Sequence, residues 1–155
     1  MARLLWIDDN AGKGTPRRMA FDALIYFVEK NGHKVDIAST GEQIEIALVD
    51  MHRYDLLILD IIMEPLPSSE YNEQYGGIDV LEKIAATGRG LPIIMLSVMP
   101  ARLIRNEAIR RGLDLERIGV KEIRRKGSVT PTELAASVKM HLRRRRDDLA
   151  GGAEC

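Results

Sequence analysis

The sequence predicts a single α/β domain built on a parallel sheet, and three observations carry that prediction. Five short strand-like runs alternate with five longer segments of helical apolar spacing. One of the runs, Leu56-Leu57-Ile58-Leu59, is apolar at every position, as expected of a strand covered on both faces. The length of 155 residues fits one domain, at about 100–200 residues each. Such alternation places helices on both faces of a parallel sheet.

Leu4-Leu5-Trp6-Ile7 reads as the first strand, ending at Asp8. Thr15 and Pro16 fit the N-cap and first position of a helix whose apolar face is Ala20, Leu24, Phe27 and Val28. Gly32 ends that helix. Val35–Ala38 is a short strand. Thr40 and Gln43 form a capping box, and Ile44, Ala47, Leu48 and Met51 supply the next apolar face. Leu56–Leu59 follows and stops at Asp60. Glu64–Gly77 carries two prolines and a Gly-Gly pair and reads as a long loop. Ile78–Ala86 resumes a helix, which Gly88 and Gly90 break. Pro92–Leu96 is the fourth strand, ending at Ser97. Pro100–Arg111 is a helix stopped by Gly112, and a weaker fifth strand lies near Gly119–Arg125. The last helix has Thr130 as N-cap, Pro131 at its first position, Glu133 in the capping box, and Val129 and Leu134 as a staple. Residues 1–146 are expected to form the domain and 147–155 a flexible tail.

Composition excludes several classes. The 23 Lys+Arg balance 23 Asp+Glu, which argues against a general nucleic-acid binder. The single cysteine, Cys155, allows no internal disulfide and no thiolate zinc site. The N-terminus lacks a signal-peptide pattern, and no apolar stretch is long enough to span a bilayer, so a cytoplasmic location is expected. His33, His52 and His141 lack metal-ligand spacing. Gly12-Lys13-Gly14-Thr15 is no phosphate-binding loop, because residue 8 is Asp where that loop needs glycine.

In parallel sheets of this kind ligands bind beyond the carboxyl ends of the strands. That edge carries Asp8 and Asp9, Asp60, Ser97 and Lys126. Converging carboxylates repel each other unless a cation lies between them. Oxygen-only ligation points to a hard divalent ion, with Mg²⁺ first among them. A carboxylate, such an ion, a lysine and a hydroxyl together suit phosphoryl transfer to an aspartate. Arg125 competes with Lys126 for the cationic role, and the lysine's flexible point charge suits a moving phosphoryl group better.

These pieces resemble the receiver domain of two-component response regulators. The resemblance rests on Ile7-Asp8-Asp9, on Leu56–Asp60 followed by Ile61-Ile62-Met63, on Gly77-Ile78-Asp79-Val80-Leu81, on Pro92–Ser97, and on Lys126 before a capped last helix. It covers roughly residues 3–142. It implies a flavodoxin-like, doubly wound five-stranded sheet of order 2-1-3-4-5. It implies that Asp60 accepts a phosphoryl group from a histidine kinase or phosphotransfer protein. By the same resemblance Asp9 and Asp60 ligate Mg²⁺ directly, Asp8 helps through water, the Ile62 carbonyl completes the set, and Ser97 and Lys126 contact phosphoryl oxygens. Signalling would run through protein contacts of a stand-alone domain.

The sequence departs from that family at several points. Gly127 stands where a proline after a cis bond is usual, so a trans or rearranged loop is expected. Ile123 replaces an aromatic switch residue, Glu64 replaces a proline, and the loop after Asp60 is longer than in compact relatives. Val98 is bulkier than the usual small residue and, with Ile62, would shield an aspartyl phosphate from water. These departures keep open a second function, a degenerate receiver that binds partners without phosphorylation. An aspartate-nucleophile phosphatase lacks its Asp-x-Asp signature here, and a flavin or nucleotide binder lacks its glycine-rich loop.

The neutral total hides a polarised chain. Residues 36–82 hold 11 acidic and 1 basic side chains, and 83–146 hold 5 and 16. The acidic stretch contains Asp60. The basic stretch builds the fourth helix, the fifth strand and the last helix, a face that receivers use for dimers and outputs. Arg102, Arg105, Arg110, Arg111, Arg124 and Arg143–Arg146 on that face would attract an acidic output protein, and a homodimer is the other option.

Overall fold

Strand residues alternate between two apolar layers, and this explains the unbroken apolar runs. The computed structural model describes residues 2–9, 18–71, 73–88 and 90–153. The strands are β1 (Arg3–Ile7), β2 (Lys34–Ala38), β3 (Leu56–Leu59), β4 (Ile93–Ser97) and β5 (Val120–Arg125). They form one parallel sheet of order β2-β1-β3-β4-β5, the flavodoxin-like arrangement. Leu5, Ile7, Leu57, Leu59, Ile93 and Met95 face one layer; Leu4, Trp6, Leu56, Ile58, Ile94 and Leu96 face the other.

The helices are α1 (Arg18–Lys30), α2 (Gly41–Val49), α3 (Gly76–Thr87), α4 (Ala101–Arg110), α5 (Leu115–Ile118) and α6 (Pro131–Ala153). Ile44 of α2, Ile78 and Leu81 of α3 and Ile104 of α4 complete the first layer. Ile25 and Val28 of α1 join Leu134, Val138 and Leu142 of α6 in the second. Among the described residues no helix is long and apolar enough to cross a membrane.

Both N-caps form at the expected threonines, while the Glu133 carboxylate pairs with Arg124. The Gln43 amide donates to Thr40 Oγ1 at 3.2 Å, and the Gln43 side chain accepts from the Ser39 amide, one residue before the expected partner. The Glu133 amide donates to Thr130 Oγ1 at 3.2 Å. Thr15 and Pro16, expected to open α1, lie outside the described residues.

Three expectations are revised. α3 starts at Gly76, so the Gly-Gly pair belongs to the helix and the loop ends at Tyr75. Both glycines are needed there, since a Cβ on Gly77 would strike the backbone of Asp60 and Ile61 and one on Gly76 would strike the Glu64 carbonyl. α5 is an additional helix, capped by Asp114, whose side chain accepts from the Arg117 amide. The last helix continues to Ala153, through most of the segment read as a tail.

The sheet edges carry charge, which blunts strand pairing with other chains. On β2, Asp36 accepts from Arg3 Nη2 at 2.8 Å and from the Tyr54 hydroxyl at 2.9 Å. On β5, Glu122 faces α6, where it accepts from Ser137 Oγ and lies 2.6 Å from His141 Nε2.

Candidate functional site

Backbone hydrogen bonds stitch the carboxyl ends of the strands together and set the site. The Asp60 amide donates to the Ile7 carbonyl at 2.9 Å, which brings the end of β3 beside Asp8. The Asp8 amide donates to the Ala38 carbonyl at 3.2 Å. The Lys126 amide donates to the Ser97 carbonyl at 3.0 Å, which fixes Lys126 at the end of β5 beside β4.

Asp8, Asp9 and Asp60 form one acidic cluster. Each offers a carboxylate oxygen, and those oxygens lie within 4.8 Å of one another. Asp8 is 0% exposed and Asp60 is 2% exposed, while Asp9 lies at the surface. Lys126 Nζ lies 2.6 Å from Asp8 Oδ2 and 3.1 Å from Asp60 Oδ2. The lysine therefore reaches the cluster without a following proline. No peptide bond among the described residues is cis, so the link to Gly127 is trans. Arg125, the other candidate cation, is exposed.

Burial is the main cause that pushes the Asp60 carboxyl up to about 6. The neighbouring Asp8 adds to the rise, and Lys126 opposes it. Burial and Asp8 also raise Asp9.

Three carboxylates against one lysine leave an excess of two negative charges when all are ionised. Asp60 Oδ1 is buried and accepts no hydrogen bond. A buried acceptor without a donor is costly, and a cation satisfies it as well as a donor does. The donor set is all oxygen, with no His or Cys. These features fit a hard divalent ion.

Ser97 is buried at the end of β4, where its Oγ accepts from the Met99 amide at 3.0 Å. Ile62 is half-buried on the turn after Asp60. That turn is closed by the Met63 amide donating to the Ile61 carbonyl. Val98 is 58% exposed, so it turns toward solvent and does not line a dry pocket. Ile123 is half-buried against the first apolar layer.

A cleft of about 360 Å³ adjoins the cluster, lined by Asp9, Thr40, Ile44, Glu64, Pro65 and Pro67. Pro67 packs so closely on Gly41 that a Cβ there would lie 2.8 Å from its Cδ. The first half of the loop after Asp60 is thus one wall of this cleft.

Sequence reasoning misplaced one cation. Arg111, grouped with the basic surface, is instead a buried side chain, 1% exposed, that pairs with Asp79, Glu82 and Glu107. The i,i+4 spacing of Glu107 and Arg111 was its only local signal. Three further cations of that surface are also paired, Arg110 with Glu107, Arg124 with Glu122 and Glu133, and Arg145 with Asp55. Arg102, Arg105, Arg143, Arg144 and Arg146 are exposed.

No protein-family model matches the chain, and no curated protein matches it. Solved structures do. A CheY-like response regulator receiver domain protein from Methanospirillum hungatei superposes with a TM-score of 0.66 at 21% identity, covering 96% of this chain and 98% of that one. A response regulator receiver domain protein from Clostridium thermocellum gives 0.63 at 21% identity, covering 94% and 98%. A signal receiver domain from Vibrio parahaemolyticus gives 0.65 at 22% identity, covering 96% of each. The strand order, the span of the match and the helices on both faces lead to one conclusion: this chain has the fold of a response-regulator receiver domain.

Proposed function

We propose that the chain is a phosphoacceptor receiver that takes a phosphoryl group onto Asp60 and signals through protein contacts. The observation that carries this reading is the buried Asp60 carboxylate, with one oxygen on Lys126 and the other without a hydrogen-bond donor. The donor of the phosphoryl group would be a phosphohistidine on a kinase or phosphotransfer protein. An Asp60 oxygen forms the new O–P bond as the N–P bond breaks, and the imidazole leaves with the bonding pair.

Asp9 and Asp60 would hold Mg²⁺ directly, Asp8 through water, with the Ile62 carbonyl as a further ligand. The ion supplies neutralisation of the phosphoryl oxygens. Lys126 stands between Asp8 and Asp60 and can follow an oxygen of the phosphoryl group. Ser97 Oγ–H would donate to another. A cytoplasmic location goes with this chemistry, because kinase and receiver must meet.

Partners would dock on α4, β5 and α6. With Arg111 buried and Arg110, Arg124 and Arg145 paired, the attraction to an acidic output protein falls to Arg102, Arg105, Arg143, Arg144 and Arg146. Its affinity would weaken with salt. A homodimer through the same face is the alternative assembly.

The test is incubation with a small phosphodonor and Mg²⁺, read by intact mass. The expected result is a gain of one phosphoryl group that Asp60→Asn abolishes and EDTA prevents. A chain that binds Mg²⁺ yet gains no mass is a degenerate receiver, and the proposal falls.

A further inference from the structure

Outside the acidic cluster, the most heavily built ionic site among the described residues surrounds Arg111. Its Nη1 donates to Asp79 Oδ1 at 2.7 Å and to Glu82 Oε1 at 3.0 Å. Its Nε donates to Glu107 Oε1 at 3.0 Å. Its guanidinium lies 3.8 Å from the centre of the Tyr71 ring, a stacked cation–π contact. Arg110 joins from the same helix end, with Nη2 3.2 Å from Glu73 Oε1. The C-terminal end of α4 therefore grips the second half of the loop.

The same site holds the first half. Asp79 is 4% exposed, and its second oxygen, Oδ2, accepts from the Leu66 amide at 3.0 Å. One carboxylate thus ties Arg111 to the loop backbone. Between Asp60 and Leu66 the chain has two further anchors on α3. The Gly77 amide donates to the Ile61 carbonyl at 3.1 Å, and the Gly76 amide donates to the Met63 carbonyl at 3.0 Å. Every residue from Ile61 to Leu66 therefore lies on or next to a fixed point. This segment includes Ile62 and the Glu64 that stands in the cleft beside Asp9.

A buried ion pair is weak evidence for stability, because apolar residues of equal volume often serve as well. What a planar, multiply bonded guanidinium adds is direction. Here that direction is imposed on the backbone leading out of the acceptor aspartate.

We propose that Arg111, Asp79 and Tyr71 are positioning residues for the phosphoacceptor site: they clamp the loop after Asp60 in the geometry that binds the divalent ion. This rests on the function proposed above. None of the three touches the reacting atoms; each acts through the backbone of residues 61–66. Outer partners that orient metal ligands set affinity in many sites.

Tyr71 is half-buried on the loop, so its removal should leave the two apolar layers intact. The experiment titrates Mn²⁺ into the intact chain and follows free ion by electron paramagnetic resonance. Amide hydrogen exchange at Met63, Leu66 and Gly76 is read in parallel. Tyr71→Ala and Arg111→Lys should each weaken Mn²⁺ binding by about tenfold and speed exchange at Leu66, while Tyr71→Phe keeps wild-type values. The melting temperature of Tyr71→Ala should stay near wild type, which separates positioning from a general loss of structure. If Tyr71→Ala binds Mn²⁺ within about twofold of a wild type that binds it and is phosphorylated, the clamp is wrong and the phosphoacceptor reading stands. If the wild type neither binds Mn²⁺ nor gains a phosphoryl group, both fall together.

Discussion

In metal-free buffer, Lys126→Met loses about 3–5 kcal/mol of stability at alkaline pH and much less at acid pH. The lysine is the cation within reach of two buried carboxylates, 2.6 Å from Asp8 and 3.1 Å from Asp60. Removing one partner of a buried ionic group leaves charge without compensation, which is where large losses arise. The loss has a pH dependence of definite sign. Asp60 sits at about 6 in the folded chain, above its ordinary 3.8. A carboxyl raised on folding stabilises the fold at pH below its unfolded value, and that contribution is lost as pH rises through the folded value. For the wild type this window runs from about 4 to about 6 and amounts to about 3 kcal/mol. Without Lys126 its upper limit moves higher, because the lysine is what lowers Asp60 toward the ordinary range. The gap between variant and wild type should therefore open above pH 6, where the wild type has already lost its proton. Asp60→Asn removes one of the two carboxylates that face the lysine, so the double variant should regain part of the loss, and added Mg²⁺ should narrow the gap in the single variant. Urea denaturation across pH in EDTA, for the wild type, both single variants and the double, checks this. Curves for Lys126→Met that run parallel to wild type at every pH would show that the lysine does not carry the charge balance of the site.

The parts of the site that the sequence announced are those fixed by short-range rules. A strand covered on both faces must be apolar throughout, so β3 and its terminal Asp60 stand out. The edge of a parallel sheet then gathers Asp8, Asp9, Ser97 and Lys126 from separate strand ends. Thr40 and Thr130 mark helix starts because capping acts within four residues. What escaped prediction depends on partners far away in the chain. Arg111 looks like surface charge until Asp79, 32 residues earlier, is placed against it. Tyr71 and Glu73 read as loop polarity until α4 closes on them. α5 has only four residues, too few for a periodic signal. The 147–153 segment is charged and glycine-bearing, which suggests a tail, yet it continues a helix already nucleated by Leu134, Val138 and Leu142 packed on the sheet. Gly76-Gly77 misled for a different reason. Glycine pairs usually signal flexibility, but here they permit close approach, a property invisible without the opposing backbone.

That close approach makes Gly77→Ala a severe lesion. A Cβ at Gly77 would collide with the carbonyl oxygen of Asp60, lie 2.5 Å from Ile61 Cα and lie 2.9 Å from the Asp60 carbonyl carbon. Overpacking usually costs about 1–3 kcal/mol, because neighbouring side chains shift to relieve it. Here the obstacle is main chain, held by the hydrogen bonds that the Gly77 amide donates to the Ile61 carbonyl and the Asp60 amide donates to the Ile7 carbonyl. The strain has no soft outlet, so a loss of about 3 kcal/mol or more is expected. Gly127 is the matched control. Nothing lies within 4 Å of a Cβ there, and its backbone is not among the glycines with positive φ. Gly127→Ala should therefore stay within about 0.5 kcal/mol of wild type. Thermal and urea denaturation of the two variants measure the difference. A second readout ties the lesion to function. Relief of the clash must push Asp60 and Ile61 away from α3, and Asp60 is the proposed acceptor. Gly77→Ala should thus bind Mn²⁺ poorly and gain little phosphoryl group even at temperatures where it is folded, whereas Gly127→Ala should do both normally. A Gly77→Ala protein with the wild-type midpoint and wild-type phosphorylation would mean that the backbone after Asp60 yields easily, and that neither the glycine nor the anchors around it set the position of the acceptor.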